Sequence, residues 1–313
     1  MNYTKINMAD HNGVEVEDLP SWGAIDTSGF TKFRRAPFSN GRFYFNSVDP
    51  FFYSGLTNPL GRVMDKRHLH AAAIRAAYEG RDTQFEWEVA ANYGTMFHLL
   101  VGLHEEGALQ FSFENADWEG VLDSFVEEYR YYDFRRVWRD QVRNDFAAYF
   151  QWKKDFSVRV LSTEVMVSDR QNAVATPLDI ICEMMFGRKK IYANVNIKTG
   201  DHAFTEDNLL QIACEAHLWN KTEGKPFSLS GSFCWRPKKR NRTPGAYEMS
   251  KNMCLKTDTE LTARIEYVLY SAKLLGLNKP SGNIVRYHGD QNEWRVEKLT
   301  PAQWLQEWQS LGL

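Results

Sequence analysis

The sequence predicts an α/β protein in which helices flank a central sheet. Three features point there. Before residue 156, apolar and aromatic residues fall largely at helical spacing. From 156 to 198 the pattern switches to alternation, rich in β-branched residues and broken by two short polar turns. After residue 206, helical patterns return around two more strand-like runs. With 313 residues, 43% of them hydrophobic, the chain can bury a core without disulfide or metal staples.

Residues 1–40 are polar and interrupted by Pro20, Gly23, Gly29 and Pro37, which predicts an extended, loosely packed lead-in. One domain is expected over 41–313, with a helical N-terminal part and a C-terminal helical extension. Asp65 is placed to cap an alanine-rich helix that Gly80 ends. A second helix runs from near Glu86 past Gly94 and His98 to Val101. The stretch from Asp117 to Lys154 predicts two helices broken near Tyr132 and Asp133; its aromatics read as core, with base stacking as the alternative. An antiparallel meander follows: 156–167, then 175–186 after the turn at 168–172, then 191–198 after the turn at 187–190. Glu206 to Asn220 predicts a helix, and Ser228 to Trp235 and Gly245 to Met249 predict two strands around a basic loop. Thr257-Asp-Thr-Glu260 has the form of a capping box before a helix reaching Leu275, and 300–313 reads as a short amphipathic helix.

The formal charge of −2 excludes a uniformly basic nucleic-acid coat but not a local basic groove. Cys182, Cys214, Cys234 and Cys254 form no CxxC, so reduced, buried thiols are expected in place of a disulfide scaffold, a zinc ribbon or an iron–sulfur cluster. Met1 to Asp10 lacks an apolar signal core, and no stretch reaches the roughly 20 apolar residues of a membrane span, so a cytoplasmic protein is expected. No Walker-type phosphate loop, nucleophile elbow or HExxH occurs.

The chemistry concentrates in the meander. Asn196 and Lys198, two apart on one strand, project from the same face. Asp179, on the neighbouring strand, reaches the same patch if the register brings the strand ends together. A carboxylate, an amide oxygen and a lysine there suffice for Mg²⁺, which keeps several waters, and the lysine can orient or deprotonate one of them. An aspartate followed by a distant lysine means little alone; its position on strand, turn and strand, before a helix carrying Gln211, is what distinguishes it.

Thr176-Pro-Leu-Asp179 followed by Asn196-Ile-Lys198 resembles the PD-(D/E)XK nuclease core. Gly94-Thr-Met-Phe-His98 resembles the GxxxH helix of the RecB-like and phage-exonuclease branch, Lys198-Thr-Gly is similar to its KTG ending, and Gln211 matches its glutamine. Glu164 stands at the place of that branch's acidic residue. The resemblance spans about residues 40–250. It implies a restriction-endonuclease-like mixed sheet and a metal-dependent exonuclease acting on DNA in phage-type processing or recombination. Asp179, the Asn196 side chain, the Ile197 carbonyl and His98 would hold Mg²⁺, with Mn²⁺ able to substitute. Lys198 would position or activate water, and Glu164 and Gln211 would support the site. A single-strand annealing protein and a homo-oligomer are the partners such enzymes imply.

Two positions depart from the family. Its second acidic ligand is here Asn196, which brings an oxygen but no charge, and its aromatic residue four after the glutamine is Glu215. Two alternatives therefore stand beside the enzyme: a weakened nuclease fold gripping DNA ends or a partner protein, which Asn196→Asp would reactivate, and an unrelated α/β domain in which Asp179 and Lys198 form an ion pair. Arg236, Lys238, Lys239, Arg240 and Arg242 read either as a solvated loop or as a backbone clamp on DNA.

Overall fold

Nine strands form one mixed sheet in the computed structural model, which describes residues 22–23, 32–36, 42–64, 74–76, 78–107, 135–200, 203–238, 245–254, 259–280, 284–288, 293–297 and 300–310. In chain order the elements are β1 (Trp22–Gly23), β2 (Arg34–Ala36), β3 (Phe43–Phe45), β4 (Tyr53–Gly55), α1 (Thr57–Val63), α2 (Thr83–Glu105), α3 (Arg135–Asp155), β5 (Arg159–Asp169), β6 (Val174–Phe186), β7 (Lys189–Ile197), α4 (Glu206–Lys221), β8 (Gly231–Pro237), β9 (Tyr247–Met249), α5 (Thr259–Leu274), β10 (Ile284–His288), β11 (Glu293–Glu297) and α6 (Pro301–Ser310). The main path is β2-β3-β4-β6-β7-β8-β9, with β5 on β6 and β1 on β5, while β10 and β11 pair separately. The β4–β6 and β7–β8 pairs are parallel and the others antiparallel. The chain is thus an α/β protein with a mixed, open sheet between helices.

The expected meander is β5, β6 and β7. Gly187, at φ +64°, makes the first central position of the two-residue turn that joins Phe186 to its cross-strand partner Lys189. Both faces of the sheet are covered. Phe97 of α2 and Phe146 and Trp152 of α3 pack on Ile180, Val195, Phe233 and Trp235. On the other face Leu60 of α1, Trp219 of α4 and Val268 of α5 pack with Leu178, Ile181 and Cys234. Phe233 and Trp235 thus face one layer and Cys234 the other, as strand pleating requires. Trp138, Phe146, Tyr149 and Trp152 are fully buried or nearly so, which makes the aromatics of α3 core.

The sheet forks at the site. β5 occupies one edge of β6 along its length; on the other edge Ser54 and Gly55 of β4 pair with Val174 and Ala175, and β7 pairs only from Ile180 onward. Between Ala175 and Ile180 that edge carries neither strand. Pro177, which has no N–H to leave unpaired, sits in the gap.

Several sequence expectations change. Residues 1–40 are not throughout a loose lead-in: Arg34–Ala36 is a sheet strand, Trp22–Gly23 pairs with β5, and Phe33 and Ala36 are buried. Their short apolar runs are too brief to show a period. α1 was not legible, since Pro59 and Gly61 mask its helical pattern. Of the helix expected from Asp65 to Gly80 only 74–76 and 78–80 are described: 74–76 and 78 are helical, and a turn follows at Gly80, φ +68°; the first of the two helices expected after Asp117, the break near Tyr132 and Thr257 of the capping box lie outside the described residues. The helix expected from Glu86 begins earlier, because Asp82 caps it by accepting from the Phe85 N–H at 3.1 Å.

Candidate functional site

A cavity of about 670 Å³ opens where β4 and β7 part, and His98, Glu164, Asp179, Asn196, Lys198 and Gln211 all line it. α2 brings His98 in. Its Met96, Phe97, Leu100 and Val101 are buried in the core, leaving His98 on the flank that meets the end of β7. Gly94, one turn earlier, permits the approach: a Cβ there would lie 3.1 Å from Thr199 Oγ1, directly after Lys198.

His98 Nε2 lies 3.1 Å from the Ile197 carbonyl oxygen. Donating there holds the proton on Nε2 and turns the Nδ1 lone pair toward the carboxylates. Nδ1 is 3.7 Å from Asp179 Oδ2 and 3.8 Å from Glu164 Oε1, too long for hydrogen bonds. Ligand atoms about 2.1 Å from a shared octahedral ion lie about 3 to 4 Å apart, so this spacing suits a cation. One ligand atom from each of the three residues falls within 4.8 Å of the others. The Ile197 carbonyl, expected as a ligand, accepts from the imidazole here and so orients it.

Asp179 Oδ2 also accepts the Ile197 N–H at 2.7 Å. Ile197 lies two residues beyond the last β6–β7 pair, Ile180↔Val195, so the carboxylate takes over from the backbone where the strands separate. Glu164 lies between the pairs Thr163↔Ile180 and Val165↔Leu178, at φ +52°. A non-glycine residue is strained there, and such strain gathers at functional sites. The paired strands switch faces at this step, with Leu178 in one core layer and Ile180 in the other. Burial raises the Glu164 carboxyl pKa, partly countered by His98 and reinforced by Asp179. Burial lowers that of His98, but the Asp179 and Glu164 carboxylates outweigh it, so the imidazole is raised overall.

Behind these groups lies a second layer. Lys198 Nζ donates to Gln211 Oε1 at 3.1 Å, and Gln211 Nε2 donates to Glu215 Oε1 at 2.8 Å. Asn196 and Asn194 also donate their amides to Glu215, each at 3.3 Å. Glu215 is fully buried, and burial, with the Asp179 charge adding to it, pushes its carboxyl up to about 8. By taking the Nδ2 of Asn196, Glu215 leaves Asn196 Oδ1 a buried acceptor without a hydrogen-bond partner among the described residues. An imidazole nitrogen, two carboxylates and this orphaned oxygen fit Mg²⁺ or, with its tolerance for nitrogen, Mn²⁺. No Asp179–Lys198 ion pair forms among the described residues.

In the sequence Glu215 stands out only as a departure from an aromatic position. Its signal was a charged residue between the apolar neighbours Cys214 and Ala216, one turn after Gln211. Arg35, Arg42 and Tyr44, which line the same cavity, were also missed, because only the tertiary fold carries β2 and β3 to this site. The basic loop reads differently now. Arg236 forms a salt bridge with Glu248 and stacks over Phe204, and Lys238 lies 3.8 Å from Glu248. Arg236 is therefore not a free clamp, while Lys239, Arg240 and Arg242 lie outside the described residues. All four cysteines are free, three of them buried. Among the described residues no helix is long and apolar enough to cross a membrane.

The sequence matches no family model, and a search of curated proteins returns no match.

Proposed function

We propose that this protein is a metal-dependent nuclease, with the PD-(D/E)XK-like core its residues resemble, that hydrolyses phosphodiester bonds in DNA. One observation carries this most: His98 Nδ1, Glu164 and Asp179 converge within 4.8 Å on the cavity that also holds Lys198. His98, Glu164, Asp179 and the free Asn196 oxygen would hold Mg²⁺ or Mn²⁺. When bound, the cation supplies Lewis-acid charge for the phosphoryl oxygens and lowers the pKa of an attacking water.

The remaining work belongs to the side chains. Lys198, its ammonium aimed by Gln211, orients the water and meets the negative charge developing on the phosphorus-bound oxygens. Water's oxygen bonds to phosphorus, the bond to the leaving oxygen breaks, and that oxygen takes up a proton. Glu215 supports this from behind by holding the Gln211 and Asn196 amide nitrogens, which leaves the Gln211 oxygen to Lys198 and the Asn196 oxygen without a donor. Exonuclease action in phage-type DNA processing, an annealing partner and oligomerisation rest on the resemblance alone.

Digestion of linear and circular DNA with Mg²⁺ tests the proposal, with Lys198→Ala as control. Loss of about 10²-fold or more in rate, with Mn²⁺ affinity retained, is expected. Unchanged digestion by that variant would move the chemistry elsewhere. Mn²⁺ and DNA binding without any cleavage would favour the DNA-end-binding alternative.

A further inference from the structure

α5 packs on α1 and α4 with one face and leaves the other bare. Ile265, Val268, Leu269 and Ala272 are buried in the core beneath it. The outer face carries Tyr267, Tyr270 and Leu274, which are 61%, 53% and 65% exposed. Large apolar side chains three and four residues apart on one helix form a stripe, and a contiguous stripe marks an interaction surface where scattered residues would not. Glu266 and Lys273 are exposed on the same face, and among the described residues neither forms an ion pair. Arg264, on the helix flank, does pair, with Glu206. Glu266, Tyr267 and Tyr270 also edge a groove of about 460 Å³, whose far side is Asp169 and Asn172 at the β5–β6 turn and Lys221 at the end of α4. The other end of α4 meets the candidate site through Asp207 and Gln211, so the two surfaces are separate.

The stripe is arranged about Tyr270. Glu266 lies four residues before it and Lys273 three after; Tyr267 lies three before and Leu274 four after. At about 100° per residue, Glu266 and Lys273 fall about 40° and 60° to one side of Tyr270, and Tyr267 and Leu274 about 60° and 40° to the other. One edge of the face is therefore charged and the other apolar. A second α5 laid antiparallel, with the twofold axis at Tyr270, sets Glu266 against the partner's Lys273 along one edge. Along the other it sets Tyr267 against the partner's Leu274, with the two Tyr270 rings meeting between them. The symmetry makes each edge contact twice. A parallel copy would instead turn the charged edge toward the apolar one.

We infer that α5 is the contact of a twofold-symmetric dimer with a second copy of this chain. The charges of the face complement themselves in the antiparallel register, and this commits it to a second copy over an unrelated protein. α5 has 16 residues and is about 24 Å long, short for the roughly 1,200 Å² that a stable interface buries, so the dimer also draws on the far wall of the groove. The contact is argued from α5 itself and stands whether or not the protein is a nuclease.

Sedimentation equilibrium of the full chain, up to about 0.1 mM, is expected to show monomer and dimer. Glu266→Lys and Lys273→Glu each place like charges together at both ends of the contact, and each is expected to weaken the dimer by about tenfold or more. Mixed one to one, the two variants are expected to pair again, because each substituted position then meets an opposite charge. The double variant Glu266→Lys/Lys273→Glu should pair with itself for the same reason. Tyr270→Ser, which empties the centre of the contact, is expected to cost about tenfold or more in dimer affinity. Thermal melts of each variant show whether it is folded. A wild type that stays monomeric throughout, an assembly of three or more copies, a dimer indifferent to the reversals, or reversed variants that mixing does not rescue would each overturn the inference.

Discussion

Asn196 of β7 and Glu215 of α4 share one buried spot, the amide Nδ2 donating to the carboxylate at 3.3 Å. The carboxyl that the strand position lacks therefore resides on the helix, one hydrogen bond behind it. This changes the outcome expected for Asn196→Asp. The substitution sets a second carboxyl against Glu215, and it is expected to destabilise the protein by about 3 kcal/mol rather than simply activate it. The double variant Asn196→Asp/Glu215→Gln restores an acid–amide pair in reversed order and is expected to recover most of that loss. Urea unfolding of the two variants and Mn²⁺ calorimetry check this; equal stability of the single and double variants would contradict it.

Glu215 also predicts a pH dependence. Its carboxyl is pushed up to about 8, against an ordinary value of 4.5, so between these values the folded protein holds a proton that the unfolded chain has released. The stability this contributes is complete below about 4.5 and is lost as the pH rises through about 8. Glu215→Gln removes that slope, at most about 1.4 kcal/mol per pH unit. Denaturant unfolding at several pH values compares the two proteins, and parallel curves would rule out the protonated carboxyl.

Strain at Glu164 gives a reversed glycine effect. In an ordinary strand, glycine is less stable than alanine; at φ +52° the order inverts. Glu164→Gly is expected to be more stable than Glu164→Ala by about 1 kcal/mol. Both should lose Mn²⁺ affinity alike, since both lack the carboxylate. Paired thermal melts and calorimetry separate the backbone effect from the lost ligand.

His98 must be neutral at Nδ1 to ligate a cation, and its neighbouring carboxylates raise its pKa. Mn²⁺ affinity is therefore expected to climb with pH beyond the ordinary histidine range, by up to about tenfold per pH unit below the raised value. Calorimetry in buffers of differing ionisation enthalpy should detect a released proton. In His98→Gln that release should vanish; its persistence would place the ligand elsewhere.

What the sequence alone determined was local. Period-two alternation marked the three meander strands, and their short turns made β5–β6 and β6–β7 antiparallel neighbours, which fixed Asp179, Asn196 and Lys198 near one another. Gly94 four residues before His98 marked a helix able to come close, and Thr199 is what it approaches. What only the tertiary structure decided was everything contributed across long separations. The fork between β4 and β7 makes the cavity, α4 slides Glu215 beneath Asn196, and β2 and β3 bring Arg35 and Arg42 to the cavity that the carboxylates line. None of these carries a periodic signal, because a buried charge or a three-residue strand is chosen by what packs against it, and its partners lie far away along the chain.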